Sequence, residues 1–302
     1  MWEKLIESVP NVSEGRDREA IEAMAAAMQA VPMVRLLDVQ SDPDHHRTVF
    51  TLVGEPDGVV DALLALFASA LPRIDLRRHR GEHPRMGAVD VVPLVPVRGV
   101  TMADCVALAR RLGQEVWERF RVPVYLYGEA AARPERQDLA EIRKGEFEGF
   151  PDKIQRAEWA PDFGEPAVHP TAGVTAIGAR EFLIAFNVNL GTSDLGVAKA
   201  IAKAVRGSSG GFQYVKALGI SLAERGIVQV SMNLTNYKKT PIPRVLECIR
   251  REAARYGVSV VGTEIVGLVP QEALDQVAEY YLALERFSPD MVVERRIQEA
   301  LG

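Results

Sequence analysis

Cysteine is scarce in this chain: Cys105 and Cys248 are the two, far apart and each inside an amphipathic stretch. A disulfide framework is therefore excluded, and the thiols read as small apolar residues in a reducing compartment, which makes the cytoplasm the expected location. Polybasic blocks are also missing. With 36 Lys and Arg against 41 Asp and Glu, the formal charge is −5, so neither nucleic acid nor an anionic membrane is an expected partner. No apolar run approaches the ~18 residues of a membrane span. The opening "MWEKLIESVPNVSEGRD" has no basic region leading into an apolar one, which removes a signal-peptide reading. Nucleotide signatures are absent as well. No G-x-G-x-x-G follows a strand, "RGSSGG" lacks the phosphate-loop lysine, and "PDFG" at 161–164 stands without the rest of a kinase set. A small-molecule site in one large or two smaller domains is what these exclusions leave for 302 residues.

Hydrophobic periodicity supplies the organisation. "KLIESV" reads as a strand, "DREAIEAMAAAMQAV" as a helix, "MVRLLDV" and "HRTVFTLVG" as two strands around the turn-forming "QSDPDH", "VVDALLALFASAL" as a helix and "AVDVVPLVPV" as a strand. The order is β-α-β-β-α-β. "TMADCVALARRLGQEVWERF" and "PVYLYG" add a helix and a strand. Periodicity then lapses over 145–178, a stretch rich in proline and glycine that reads as a functional loop and as the connection between two halves. Beyond it "EFLIAFNVNLG", "DLGVAKAIAKAVR", "YVKALGISLAE", "IVQVSMNLTN", "IPRVLECIRREAARYG" and "VSVVGTEIV" repeat the β-α-β-β-α-β order, and two amphipathic helices close the chain. The predicted fold is α+β: two ferredoxin-like βαββαβ subdomains, 1–178 and 179–302, the first extended by an extra helix and strand. A ligand cleft or tunnel is expected between them.

Chemistry concentrates before residue 170, where all five histidines lie: His45, His46, His79, His83 and His169. The segment "HRGEH", 79–83, matches the inverted zinc-peptidase pattern H-x-x-E-H, but that pattern needs a helix to bring both histidines onto one face. Gly81 in its middle and Pro84 after it oppose a helix, so no metal is expected. General acid/base catalysis by His83, presented on irregular backbone beside Glu82 and Arg85, stands against the plainer reading of a solvated turn histidine. His79 reads as a solvated member of the basic stretch "RRHRG". His45 and His46 read as part of a polar turn.

Taken in order, "ESVPNVSEGRD", "DPDHHRTVFTLVG", "HRGEHPRMGAVDVVPLVPVRGV", "PVYLYGEAA", "IRKGEFEGF", "WAPDFG", "TAIGAREFLIAFNVNLGT", "VQVSMNLTNY" and "TEIVGLVP" resemble the glutamate formimidoyltransferase family, the formiminotransferase half of formiminotransferase-cyclodeaminase. The resemblance runs from about residue 5 to the terminal helices. It implies transfer of a formimino group from N-formimino-L-glutamate to N5 of tetrahydrofolate, as co-substrate, in histidine breakdown and one-carbon metabolism. It also implies a homodimer and a folate tunnel between subdomains. His83 corresponds to the family's catalytic histidine. The folate-binding segment corresponds to "GEPAVHPTAG": Gly164, Glu165, Pro166, Ala167, Val168, His169, Pro170, Thr171, Ala172 and Gly173.

Two positions depart from the family pattern: Gln40 stands where an aspartate is usual, and His46 replaces an asparagine. The acid that orients His83 is therefore sought among Asp38, Glu82 and Asp44. Both substrates carry carboxylates, which makes Arg16, Arg47, Arg80 and Arg85 the candidates for binding them. The donor carries its own electrophile, so the chemistry asks for neither metal nor nucleotide. Polyglutamylated forms are included in the folate co-substrate that the resemblance implies, and any cyclodeaminase is expected to be a separate protein. The alternatives are glutamate formyl transfer with 5-formyltetrahydrofolate and, in another class, a non-catalytic folate-binding protein.

Overall fold

The computed structural model describes residues 2–81 and 83–301. Its contacts divide the chain into two compact units, Met1–Arg180 and Glu181–Gly302.

The first unit begins with β1 (Leu5–Ser8) and β2 (Asn11–Val12), followed by helix α1 (Arg18–Gln29), strands β3 (Val34–Asp42) and β4 (Arg47–Gly54), helix α2 (Pro56–Ala70) and strand β5 (Val89–Arg98). β1 and β2 lie between β4 and β5, antiparallel to both, and β3 pairs with the outer side of β4. Each helix thus crosses over one intervening strand, the split arrangement of a ferredoxin-like sheet. Local chemistry sets the helix starts. Asp17 accepts the Ala20 N–H at the head of α1, and Pro56 opens α2 where its missing N–H costs nothing.

The extension consists of α3 (Met102–Phe120), β6 (Val124–Gly128), short helices α4 (Leu139–Arg143) and α5 (Glu146–Lys153), and β7 (Thr175–Ala179). A capping box between Thr101 and Asp104 fixes the start of α3. β7 enters parallel between β5 and β6. Its residues are all buried, and it belongs to the region read from sequence as a connecting loop. That reading is corrected: 145–178 contains a helix and most of a central strand of the first sheet. Small residues, Thr-Ala-Ile-Gly-Ala, gave no alternation because β7 is covered on both faces.

One face of this sheet packs against α1, α2 and α3 through residues such as Met24, Leu63, Phe67 and Leu112. The other carries a smaller core of Met86, Val91, Tyr125, Ile142, Phe150 and Ala176, which includes side chains of α4 and α5.

The second unit repeats the pattern with β8 (Ile184–Leu190), α6 (Leu195–Val205), β9 (Val215–Leu222), β10 (Ile227–Leu234), α7 (Ile242–Arg255) and β11 (Val260–Val266). Its sheet order is β11-β8-β10-β9, antiparallel throughout. Apolar stripes of α6 and α7 cover one face. Helices α8 (Gln271–Leu282) and α9 (Val293–Leu301) end the chain. The molecule is α+β with two ferredoxin-like sheets.

Candidate active site

Four pieces of the first unit converge on one polar pocket: the residue following β2, the turn joining β3 to β4 with the first residue of β4, the loop preceding β5, and the start of β5 itself. Ser13, His45, His46, Arg47, His79, His83, Arg85 and Asp90 line it. Gly81 explains part of the convergence. A Cβ there would stand 2.5 Å from the His45 carbonyl oxygen and 2.6 Å from the His46 Cβ, so only glycine lets loop and turn touch. The glycine that spoils a helix in "HRGEH" is the residue that seats this loop.

Arg47 Nη1 lies 2.7 Å from His83 Nε2. A guanidinium has only donors, so Nε2 must be accepting and Nδ1 must carry the ring proton. Burial, then the positive charges of Arg47 and Arg143, pull the His83 imidazole down to about 3, while Asp90 opposes them. His83 is therefore neutral at pH 7. Asp90 is 2% exposed. Its Oδ1 accepts from the Met86 and Gly87 backbone N–H groups at 2.7 and 3.1 Å, and its Oδ2 from Arg143 Nη2 at 2.6 Å. A single carboxylate thus fixes the backbone just after His83 and anchors the arginine at the end of α4.

His79 is 4% exposed, which corrects its reading as a solvated flank residue. Arg85 Nε donates to its Nδ1 at 3.2 Å, which leaves Nε2–H to donate to the His46 carbonyl at 2.9 Å. Burial lowers the proton affinity of His79. The rings of His46 and His79 meet edge to face with centroids 4.2 Å apart. His46 adopts a left-handed backbone, φ 50°, in a turn where extended alternation does not apply. Burial and the neighbouring His79 lower its proton affinity as well. His45 Nδ1–H donates to Asp42 Oδ2 at 2.7 Å, and its ring lies 6.3 Å from that of His83.

A family model described as the formiminotransferase domain, N-terminal subdomain, matches residues 5–180, and one described as the formiminotransferase domain matches 185–301. A glutamate formimidoyltransferase of Thermoplasma acidophilum is 51% identical over 298 residues, 98% of each chain. One of Streptococcus pyogenes serotype M1 is 48% identical over 284 residues, covering 94% of this chain and 95% of that one. The chain belongs to the formiminotransferase family. A formimidoyltransferase-cyclodeaminase of Rattus norvegicus is 46% identical over 288 residues, which are 94% of this chain and 53% of the rat protein.

Not every residue singled out in this formiminotransferase sequence reaches the pocket. Glu82 lies outside the described residues. Asp38 sits in β3 opposite Thr51, beside a bulge, with its Oδ1 on the Val39 N–H. That is four residues along the strand from Asp42, roughly 13 Å, so the structure does not bring Asp38 to His83. Gln40 pairs with Val49 on the exposed side of the same strand. Asp44 is exposed in the turn.

Of the four arginines, Arg47 alone bonds to His83. Arg85 is engaged by Glu148 through both terminal nitrogens, 2.8 and 2.6 Å, and by Glu146 at 3.3 Å. Its role here is to join α5 to His79. Arg16 is exposed and donates to the Pro43 carbonyl, and Arg80 is exposed and donates to the His79 carbonyl. Residues 79–83 are not helical where described. Among the described residues no three His, Cys, Asp or Glu side chains converge as metal ligands.

The 164–173 segment borders the same loop. Ala172 accepts from the Ala88 N–H and Thr171 from the Leu76 N–H, both at 2.9 Å, and Val174 N–H donates to Met86. His169 and Gly173 exchange backbone hydrogen bonds, and the His169 Nδ1 accepts from the Ala172 N–H at 3.0 Å. Glu165, Pro166 and Ala167 are exposed. Beside them Phe147, Pro151, Ile154, Gln155, Val168, His169 and Pro170 line a cavity of about 280 Å³.

Sequence reasoning missed Asp90 and Arg143. The signal for Asp90 was present: an acid inside the apolar run "AVDVVPLVPV" needs a buried partner. Nothing marked Arg143 as that partner, because α4 meets β5 only through tertiary folding.

Proposed function

We propose that this chain transfers the formimino group of N-formimino-L-glutamate to N5 of tetrahydrofolate, giving 5-formiminotetrahydrofolate and L-glutamate. The observation that carries this reading is a neutral His83 whose lone pair faces a guanidinium, in a chain half identical along its length to a glutamate formimidoyltransferase. His83 Nε2 takes the N5 proton as the N5–carbon bond forms, and returns a proton to the glutamate nitrogen as the old carbon–nitrogen bond breaks. One imidazole serves both steps.

Arg47 is the guanidinium positioned to receive a donor carboxylate. Arg47 and Arg143 both act on His83 from close by, which suits an anionic substrate. The segment 164–173 and the cavity beside Val168 are assigned to the folate, on the strength of the family motif and their junction with 86–88. The family resemblance further supports a cytoplasmic homodimer.

The test is purified chain with tetrahydrofolate and either formiminoglutamate or formylglutamate in parallel. Faster turnover of the formimino donor is expected. Preference for the formyl donor would transfer the assignment to formyl transfer, and folate binding without turnover of either would leave only a binding protein.

A further inference from the structure

A base whose lone pair is already occupied cannot take a substrate proton, and that is the state of His83 here. Arg47 Nη1 is 2.7 Å from Nε2. The other ring nitrogen, Nδ1, carries its proton and is no acceptor. The same guanidinium is the cation best placed for a ligand carboxylate, because Arg85 is held by Glu148 and Glu146, while Arg143 is held by Asp90. Base and carboxylate receptor are thus in contact with each other.

We propose that Arg47 is a substrate-released lock on His83: without a bound carboxylate its N–H occupies the Nε2 lone pair, and a carboxylate ligand draws the guanidinium away and frees that nitrogen. This deepens the formimino-transfer reading and rests on it. A carboxylate offers Arg47 two parallel bonds and an opposite charge, whereas the Arg47–His83 contact is a single bond to a neutral acceptor, so the exchange favours the carboxylate. Its direction also follows from charge. In the free site Arg47 and Arg143 disfavour a proton on His83, as does His45 from the β3–β4 turn, while Asp90 from β5 opposes them. Asp42, from the end of β3, acts on Arg47. His46, His79 and Arg85 also line the rim, with Glu14 3.5 Å from the His46 ring. An arriving carboxylate neutralises the nearest of those cations and adds a negative charge, and both changes raise the proton affinity of His83. Arg47 is thus a positioning residue for the base as well as a substrate contact. The device confines base activity to molecules that have bound their donor.

The experiment is a histidine titration by NMR on the full chain labelled with carbon-13 at histidine Cε1, with His83 assigned by its loss in His83→Gln. In the free protein His83 is expected to stay neutral from pH 8 to pH 5. With saturating L-glutamate as the carboxylate probe, its midpoint is expected to rise from about 3 to above pH 5, a gain of roughly a hundredfold or more in proton affinity. Arg47→Met is expected to raise the midpoint without ligand. A merely structural arginine would not move a titration in this way. The proposal is overturned if L-glutamate shifts other histidine resonances to saturation while His83 still fails to titrate. It is overturned equally if Arg47→Met keeps the other four histidine signals native and leaves His83 unmoved. If neither L-glutamate nor N-formimino-L-glutamate moves any histidine resonance, the glutamate reading itself falls and the lock with it.

Discussion

Burial favours the neutral form of His46, His79, His83 and His169 in the folded chain, and that has a consequence for stability as well as for chemistry. In the unfolded chain each titrates near ~6.5. Stability from these groups is complete above that value. It falls as pH drops from there through their folded values, about 3 for His83, because the unfolded chain then binds more protons. The urea midpoint is accordingly expected to be lower at pH 5 than at pH 7.5, and equal midpoints would contradict the burial of these rings. His79→Ala is expected to cost ~1–3 kcal/mol in the same urea measurement, since it leaves the His46 carbonyl and the Arg85 Nε without partners. It is also expected to lower turnover through the displaced turn. A solvated His79 would do neither. In the sequence, a proline and a glycine around His83 removed a zinc-binding helix, and the family resemblance then singled His83 out. The sequence hid His79, whose basic neighbours look like surface and whose partner lies 33 residues away.

Among the elements, the βαββαβ repeats were legible because each amphipathic helix and alternating strand shows its own period. β7 was not, since a strand buried on both faces and built from small residues has no period to show. The loop before it is fixed at its inner end. Gly173 has φ 72°, and a Cβ there would collide with the Met86 carbonyl oxygen. Gly173→Ala should destabilise the first unit by about 1–3 kcal/mol, measured by denaturant unfolding. Wild-type stability in that variant would mean that the loop is not clamped to Met86.

Hydrogen exchange divides the same segment. Residues 172–174 already hold backbone hydrogen bonds to the 86–88 strand entry, while 165–167 are exposed. Saturating tetrahydrofolate should slow exchange at 165–169 and change 172–174 little. Protection arising elsewhere, with 165–169 unchanged, would move the folate assignment away from this segment.

At the scale of the whole molecule, two copies of one sheet order, with family models matched over 5–180 and 185–301, account for the chain almost end to end. The fold was readable because the β-α-β-β-α-β order occurs twice. The site was readable only in part, because it is assembled from a turn near residue 45, a loop near 83 and a helix ending at Arg143, segments that carry no local sign of one another. On the proposed function His83 joins fold and chemistry, and its removal tests the account most directly. Full-length wild type and His83→Ala are given N-formimino-L-glutamate and tetrahydrofolate, and L-glutamate release and tetrahydrofolate affinity are both measured. The account expects turnover to fall by roughly 100-fold or more, with folate affinity nearly unchanged. Near-wild-type glutamate release by His83→Ala would contradict it.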